Sequence, residues 1–512
     1  MDYPVWDLAM GGGLLMALVA IPHVIVSHFA VGGGLLIAVT ETLAVKRDDP
    51  ELRELARRSS LLLVLVSTVF GAISGVGIWV VAGLISPAAI SALIHTYVWG
   101  WAMEWVFFII EIVAALIYYT SWDKISKSAH LVVGWIYFIA AYMSLVIING
   151  IITFMLTPGR WLETHAFWDG FFNPTYWPAI VLRTGIVILM ATAFMVFPAL
   201  RSSSSRRPAV LRYLGWWFVA GSLISYAGYR WWEAALPETV FNLFGGASPV
   251  LASLGSTRSL ALWSLTAALV VGVVILIAAP KLARRATAAV LAVLAFGFFG
   301  GYERLREGTR KPFLIHSYMF SNGLLVSDIE AVNGEGVLAR SGWAARGSQD
   351  PEAMGQGVFR TQCSSCHTLD GYQGIRAALP TYGDMYAMAA EDSEASAELV
   401  YAAECAACHL DVSSAEMAEM LPSPEEMTED PEMIHDLVSG MISGTLVSLH
   451  EMGADYASAP EGVMIDTSGF FAPYMPPFVG TDDELEALSA YLSAVARDDD
   501  TPPRHARTGG DE

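Results

Sequence analysis

Charge and cysteine are what this 512-residue sequence has least of. Asp, Glu, Lys and Arg together make up only 15% of it against 54% hydrophobic residues, and the mean hydropathy is +0.48, which excludes an ordinary water-soluble enzyme. Four cysteines are too few to staple a chain of this length, and none precedes residue 363. Lysine disappears after Lys311: from Asp328 onward there are 34 Asp and Glu against seven Arg, a net charge of −27, while the rest of the chain carries +6. So acidic a segment excludes nucleic acid as a partner and leaves solvation, a salty habitat or a basic docking partner as its uses.

Long hydrophobic runs are what the chain has in place of charge. Eight candidate spans of roughly 20 or more lightly charged residues fall at about 12–44, 60–84, 97–121, 129–156, 177–200, 209–233, 259–279 and 286–304, and then they stop. They are too long and too uniformly apolar for barrel strands, so helices must satisfy the backbone in lipid. Lys46, Arg47, Arg53, Arg57 and Arg58 follow the first span, Lys124 and Lys127 the third, Arg201, Arg206 and Arg207 the fifth, and Lys281, Arg284 and Arg285 the seventh. The intervening loops are poor in both residues, so the positive-inside bias puts these four loops in the cytoplasm and both termini outside. The first apolar run lacks a basic leader and is too long for a signal-peptide core, so it is expected to stay as a span.

All four cysteines fall in two copies of one pattern, Cys363-Ser-Ser-Cys366-His367 and Cys405-Ala-Ala-Cys408-His409. Two thiols three positions apart can form thioethers to porphyrin vinyl groups while the next imidazole ligates the iron, which is the chemistry of covalent c-haem attachment. A structural zinc site or two disulfides would use the cysteines but leave a His after each pair unexplained. Helical signals lead into both motifs, and Tyr474-Met475-Pro-Pro-Phe478 precedes an acidic-capped amphipathic helix from Thr481. This segment resembles the class I cytochromes c, and the resemblance implies Met475 as an axial iron ligand. For the other iron, Met385, Met388, His435 and His450 all stay open.

Ionisable groups inside spans are costly in hydrocarbon and are functional candidates by default. Span one holds His23 and His28, span three Glu104 and Glu111, span five Arg183, and the end of span eight Glu303, Arg304 and Glu307. Glu104 and Glu111 are seven residues apart, which places both carboxylates on nearly one helix face and suits a proton path as well as plain helix packing.

Taken in order, Pro22-His23, Glu41-Thr42, Gly71-Ala-Ile-Ser-Gly75, Glu104 with Glu111, Ser121-Trp122-Asp123-Lys124, Asn149-Gly150 and Glu307-Gly-Thr-Arg310-Lys-Pro312-Phe313 resemble the first subunit of the cytochrome bd oxygen reductases over about residues 1–315. The resemblance implies His23 and Glu307 as axial ligands of two high-spin haems, b with b or d, Glu104 and Glu111 as carboxylates that ligate iron or relay protons, and Arg310 as a propionate holder. It also implies a second related membrane subunit, surrounding lipid, and a bacterial inner membrane with the cytochrome part on the periplasmic side. The chain departs from the pattern in four places. Spacing within span three is one residue shorter. Arg183 and Leu260 stand where the ligands of the low-spin haem b belong, so that haem is expected to be absent; only about 25 residues join spans six and seven where a long quinol-receiving loop belongs; and a ninth span is missing.

The expected architecture is therefore all-α: a polytopic membrane helix bundle of about eight spans over 1–315, a linker over 316–350, an exported dihaem cytochrome c domain over 351–497, and a disordered acidic tail over 498–512. The expected function is a terminal oxidoreductase that takes electrons from an external donor, such as a cytochrome c or another respiratory complex, through two covalent c haems to the membrane haems and reduces oxygen to water. An electron-transfer subunit without catalysis, or a bare scaffold for the c haems, are the alternatives.

Overall fold

The computed structural model describes residues 5–6, 8, 10–245, 249–342, 350–371, 374–376, 379, 431–470 and 472–496. Eight long helices occupy the first three fifths of the chain: α1 Gly12–Arg47, α2 Pro50–Ile85, α3 Val98–Thr120, α4 Lys127–Leu156, α5 Tyr176–Ala199, α6 Arg207–Ala235, α7 Ser253–Ala278 and α8 Arg285–Gly308. All but α6 are long and apolar enough to cross a membrane. α6 is rich in Trp, Tyr, Gly and Ser, with charge near both ends, and instead presses small residues against α5. A Cβ on Gly221 would sit 2.9 Å from Ile188 Cγ2, so the two backbones approach as closely as small residues permit.

The bundle is arranged around α5, which packs against α1, α4, α6 and α8 and is the most buried of the spans. Outward, large apolar side chains stand open: Ile73 is 70% exposed, Trp99 73% and Trp263 72%, a surface that lipid covers and water would not tolerate. The join between the first two spans differs from expectation. It is a turn at Asp48 and Asp49, and α2 begins at Pro50, so that Arg53, Arg57 and Arg58 ride on a helical overhang. The overhang forms because Asp49 accepts from the N–H groups of Glu51 and Leu52 at 3.0 and 3.2 Å beside a proline at the first helical position.

A second hydrophobic cluster gathers α9 Ile329–Glu335, α10 Pro351–Gln362, α11 Pro431–Ala457 and α12 Asp482–Ala496. The segment expected as a linker behaves otherwise over its described residues. Strands β1 Phe313–Ile315 and β2 Met319–Phe320 pair antiparallel, and Phe313, Phe320, Leu324, Ile329, Val332, Val337 and Leu338 are all buried in this cluster, because their apolar side chains have no lipid to face. The cluster is seated on the bundle where the His316 N–H donates to the Met155 carbonyl at 2.9 Å and Asn242 Nδ2 to Asp466 Oδ2 at 3.1 Å, and within it the Ile465 N–H donates to Ser317 Oγ at 2.8 Å.

Candidate functional site

The two histidines of α1 are in different states. His28 has both ring nitrogens engaged, Nδ1 with the Val24 carbonyl at 2.8 Å and Nε2 with the Arg183 guanidinium at 3.2 Å, so neither is free for a metal. His23 engages only Nδ1, 3.2 Å from the Gly71 carbonyl and 3.1 Å from Ser74 Oγ, and Nε2 has no partner among the described residues. Gly75 makes the room: a Cβ there would lie 3.0 Å from His23 Cε1. An imidazole oriented through one nitrogen with the other open is how ligating histidines are held, and this donor fits a haem iron.

Glu104 and Glu111 face α4 rather than lipid. Ser144 Oγ donates to Glu104 at 3.0 Å, and the Tyr137 hydroxyl lies 3.2 Å from both Glu111 and the Ala30 carbonyl. One heptad further on, Tyr118 donates to Glu41 at 2.6 Å while His130 meets Glu41 through Nδ1 at 2.8 Å and the Tyr118 carbonyl through Nε2 at 2.9 Å. Both nitrogens of that ring face oxygen atoms, so the ring is fully engaged. Positions 104, 111 and 118 of α3 thus meet 144, 137 and 130 of the antiparallel α4, three polar rungs about 10.5 Å apart running the length of the pair. His130, Tyr137 and Ser144 were absent from the sequence reading. Their seven-residue spacing was the available signal.

Arg183 anchors a third group. It is 2% exposed, pairs with Glu303 at 2.8 Å and lies over the Tyr302 ring at 5.5 Å. From Glu303 the pairing continues along α8 to Arg306 at 2.9 Å, from Arg306 to Glu307 at 2.5 Å, and from Glu307 to Arg310. Leu260, the other position of the expected low-spin pair, is 66% exposed on the outer face of α7 and does not share a site with Arg183. Glu307, expected as an iron ligand, has both of its carboxylate oxygens held by arginines. Arg310 also donates to the Leu314 carbonyl at 2.8 Å, yet its Nε is buried without a partner among the described residues, as is Arg306 Nη1. Buried orphan donors of this kind fit an anionic group such as a propionate.

In the second cluster, Cys363 ends α10 and Cys366 follows with no disulfide between them. Burial, with the Cys366 thiol beside it, pushes the Cys363 thiol up to about 12, which keeps it neutral. His367 is half-buried next to them, and among the described residues no group of three or more His, Cys, Asp or Glu could hold a metal ion. Two unpaired thiols and an adjacent imidazole fit a thioether-bound haem. Met475 packs, like Cys363, against the same apolar cluster. Cys405, Cys408, His409, Met385 and Met388 lie outside the described residues. So do residues 497–512, the expected tail.

With this geometry in hand, the likenesses to known proteins are consistent. Residues 13–225 match the family described as cytochrome bd terminal oxidase subunit I. No curated protein matches the chain. Among solved structures, the bd oxidase from Geobacillus thermodenitrificans is similar in fold at 16% identity and a TM-score of 0.51, with 59% of this chain and 87% of that chain covered. The family match ends inside α6, so α7, α8 and the second cluster lie beyond it.

Proposed function

We propose that this chain is the haem-bearing membrane subunit of a bd-type respiratory oxidase whose electrons enter through its own c haems. The observation that carries the reading is His23, held through Nδ1 with Nε2 open, inside the segment that matches the bd family. Haem iron at that imidazole supplies a centre able to bind and reduce oxygen. The chain's own residues do the rest. Ser144 and Tyr137 orient the Glu104 and Glu111 carboxylates, which hold and pass protons between α3 and α4. Arg306 and Arg310 offer their orphan N–H groups to propionates, and Arg183, paired with Glu303, stands where a ligand of a low-spin haem would be needed. Cys363, Cys366 and His367, with Cys405, Cys408 and His409, attach the two c haems on the outer side, where the acidic surface attracts a basic donor such as a cytochrome c. Lipid and a second membrane subunit cover the exposed apolar faces of α2, α3 and α7.

A pure electron-transfer subunit is the second reading, favoured by the arginines that occupy Glu307. The reduced optical spectrum with and without carbon monoxide separates the two. A c-type band together with a CO-sensitive high-spin b or d signal is expected, and a c-type band alone, indifferent to CO, overturns the oxidase reading.

A further inference from the structure

Two attachment motifs and one Met-Pro segment leave open which iron Met475 serves. Gln362, the residue before Cys363, is buried and clasps Val479, four residues beyond Met475: its side-chain Nε2 donates to the Val479 carbonyl, and the Val479 N–H donates back to Oε1 at 3.1 Å. That pair of hydrogen bonds ties the first motif to the Met475 segment across 117 residues of chain. The segment is pinned from other sides as well. Phe478 N–H donates to the Leu449 carbonyl at 3.2 Å and Gly480 N–H to Asn333 Oδ1 at 3.0 Å, while the Glu484 carboxylate accepts from Val337, Leu338 and Thr481 at 2.8, 2.9 and 3.2 Å.

Beyond the motif, Arg376 reaches the Val495 carbonyl at 2.6 Å and Asp370 at 2.8 Å, fastening the chain after His367 to the end of α12. Ahead of the motif, α10 crosses α12 at Gly355, where an added Cβ would stand 2.6 Å from Tyr491 Cβ. The elements that flank Met475 are therefore the ones that flank Cys363 to His367. His450 is the competing donor beside the same loop, its Nδ1 3.3 Å from the Phe478 carbonyl.

We propose, on the c-haem reading above, that Met475 is the sixth ligand of the haem attached at Cys363 and Cys366, opposite His367, and that the haem at Cys405, Cys408 and His409 takes no ligand from it. The test uses the full chain and the near-infrared sulfur-to-iron charge-transfer band of oxidised haem, which thioether ligation produces and bis-imidazole ligation does not. In Cys405→Ser/Cys408→Ser the band is expected to persist, and adding Met475→Ala is expected to abolish it and make the remaining reduced c-type band respond to CO. Should the double serine variant not accumulate, His409→Gly with both attachment cysteines intact is read the same way. Loss of the band when the second motif is disabled, or its survival when Met475→Ala is added to that variant, overturns the pairing. So does a wild-type chain with covalent haem but no band, which excludes thioether ligation and leaves the c-haem reading standing. A pyridine haemochrome without covalent haem overturns the c-haem reading itself and the pairing with it.

Discussion

The Arg183–Glu303 pair should respond unequally to loss of its two members. Arg183 is 2% exposed and meets a single carboxylate among the described residues, Glu303 at 2.8 Å, whereas Glu303 also holds Arg306 at 2.9 Å. Glu303→Gln strands a buried guanidinium with only the His28 nitrogen at 3.2 Å and the Tyr302 ring face for company. Breaking a buried pair in this way costs about 3–5 kcal/mol, most of it the uncompensated charge. Arg183→Met leaves Glu303 still neutralised by Arg306, so its cost is that of lost hydrogen bonds, roughly 1–3 kcal/mol. The double variant removes both charges and should fall short of the sum of the singles by about 1–3 kcal/mol. Reversible denaturant unfolding of the detergent-solubilised chain, followed by tryptophan fluorescence, measures all three. Equal losses for the two singles, or strict additivity in the double, would refute the claim that Arg183 depends on Glu303 alone.

Three further outcomes are expected. If Glu111 passes protons, Glu111→Gln should lower oxygen consumption with an artificial reductant by roughly 100-fold, while Tyr137→Phe, which removes only the hydroxyl 3.2 Å from Glu111, should cost much less; full turnover in Glu111→Gln would take that carboxylate off the path. Burial, helped by the Arg310 charge and opposed by Asp466, lowers His316 from its ordinary 6.5 to about 3. The unfolded chain then binds the extra proton between those values, so stability should be complete above pH 6.5 and decline as pH falls towards 3, and His316→Asn should flatten that part of a pH-dependent unfolding series. Gly355→Ala should reduce c-haem content by pyridine haemochrome because its new methyl meets the Ala487 carbonyl and Tyr491, whereas at Gly357 it meets only the flexible Leu338 side chain at 3.3 Å and should be tolerated.

What the sequence made legible, and what it did not, follows from how far apart the cooperating residues lie. Seven of the eight long helices were readable because lipid leaves the backbone no alternative and the apolar runs are long. The start of α2 was not, since arginines on a helical overhang and arginines in a loop look alike until Asp49 is seen capping the helix. His23 could be marked as a lone histidine in a span, but only Gly71 and Ser74 in the next helix distinguish it from the fully engaged His28. Each strand of the polar ladder carries a visible seven-residue spacing, yet the short turn between α3 and α4 decides that Tyr118 faces His130 and Glu111 faces Tyr137, and register is a property of the pair, not of either helix. The same limit applied to Met475, where a Met-Pro motif names a ligand without naming its iron. That assignment depends on a glutamine 117 residues away in sequence from the valine it clasps, a contact that exists only once α10 and α12 have crossed at a glycine.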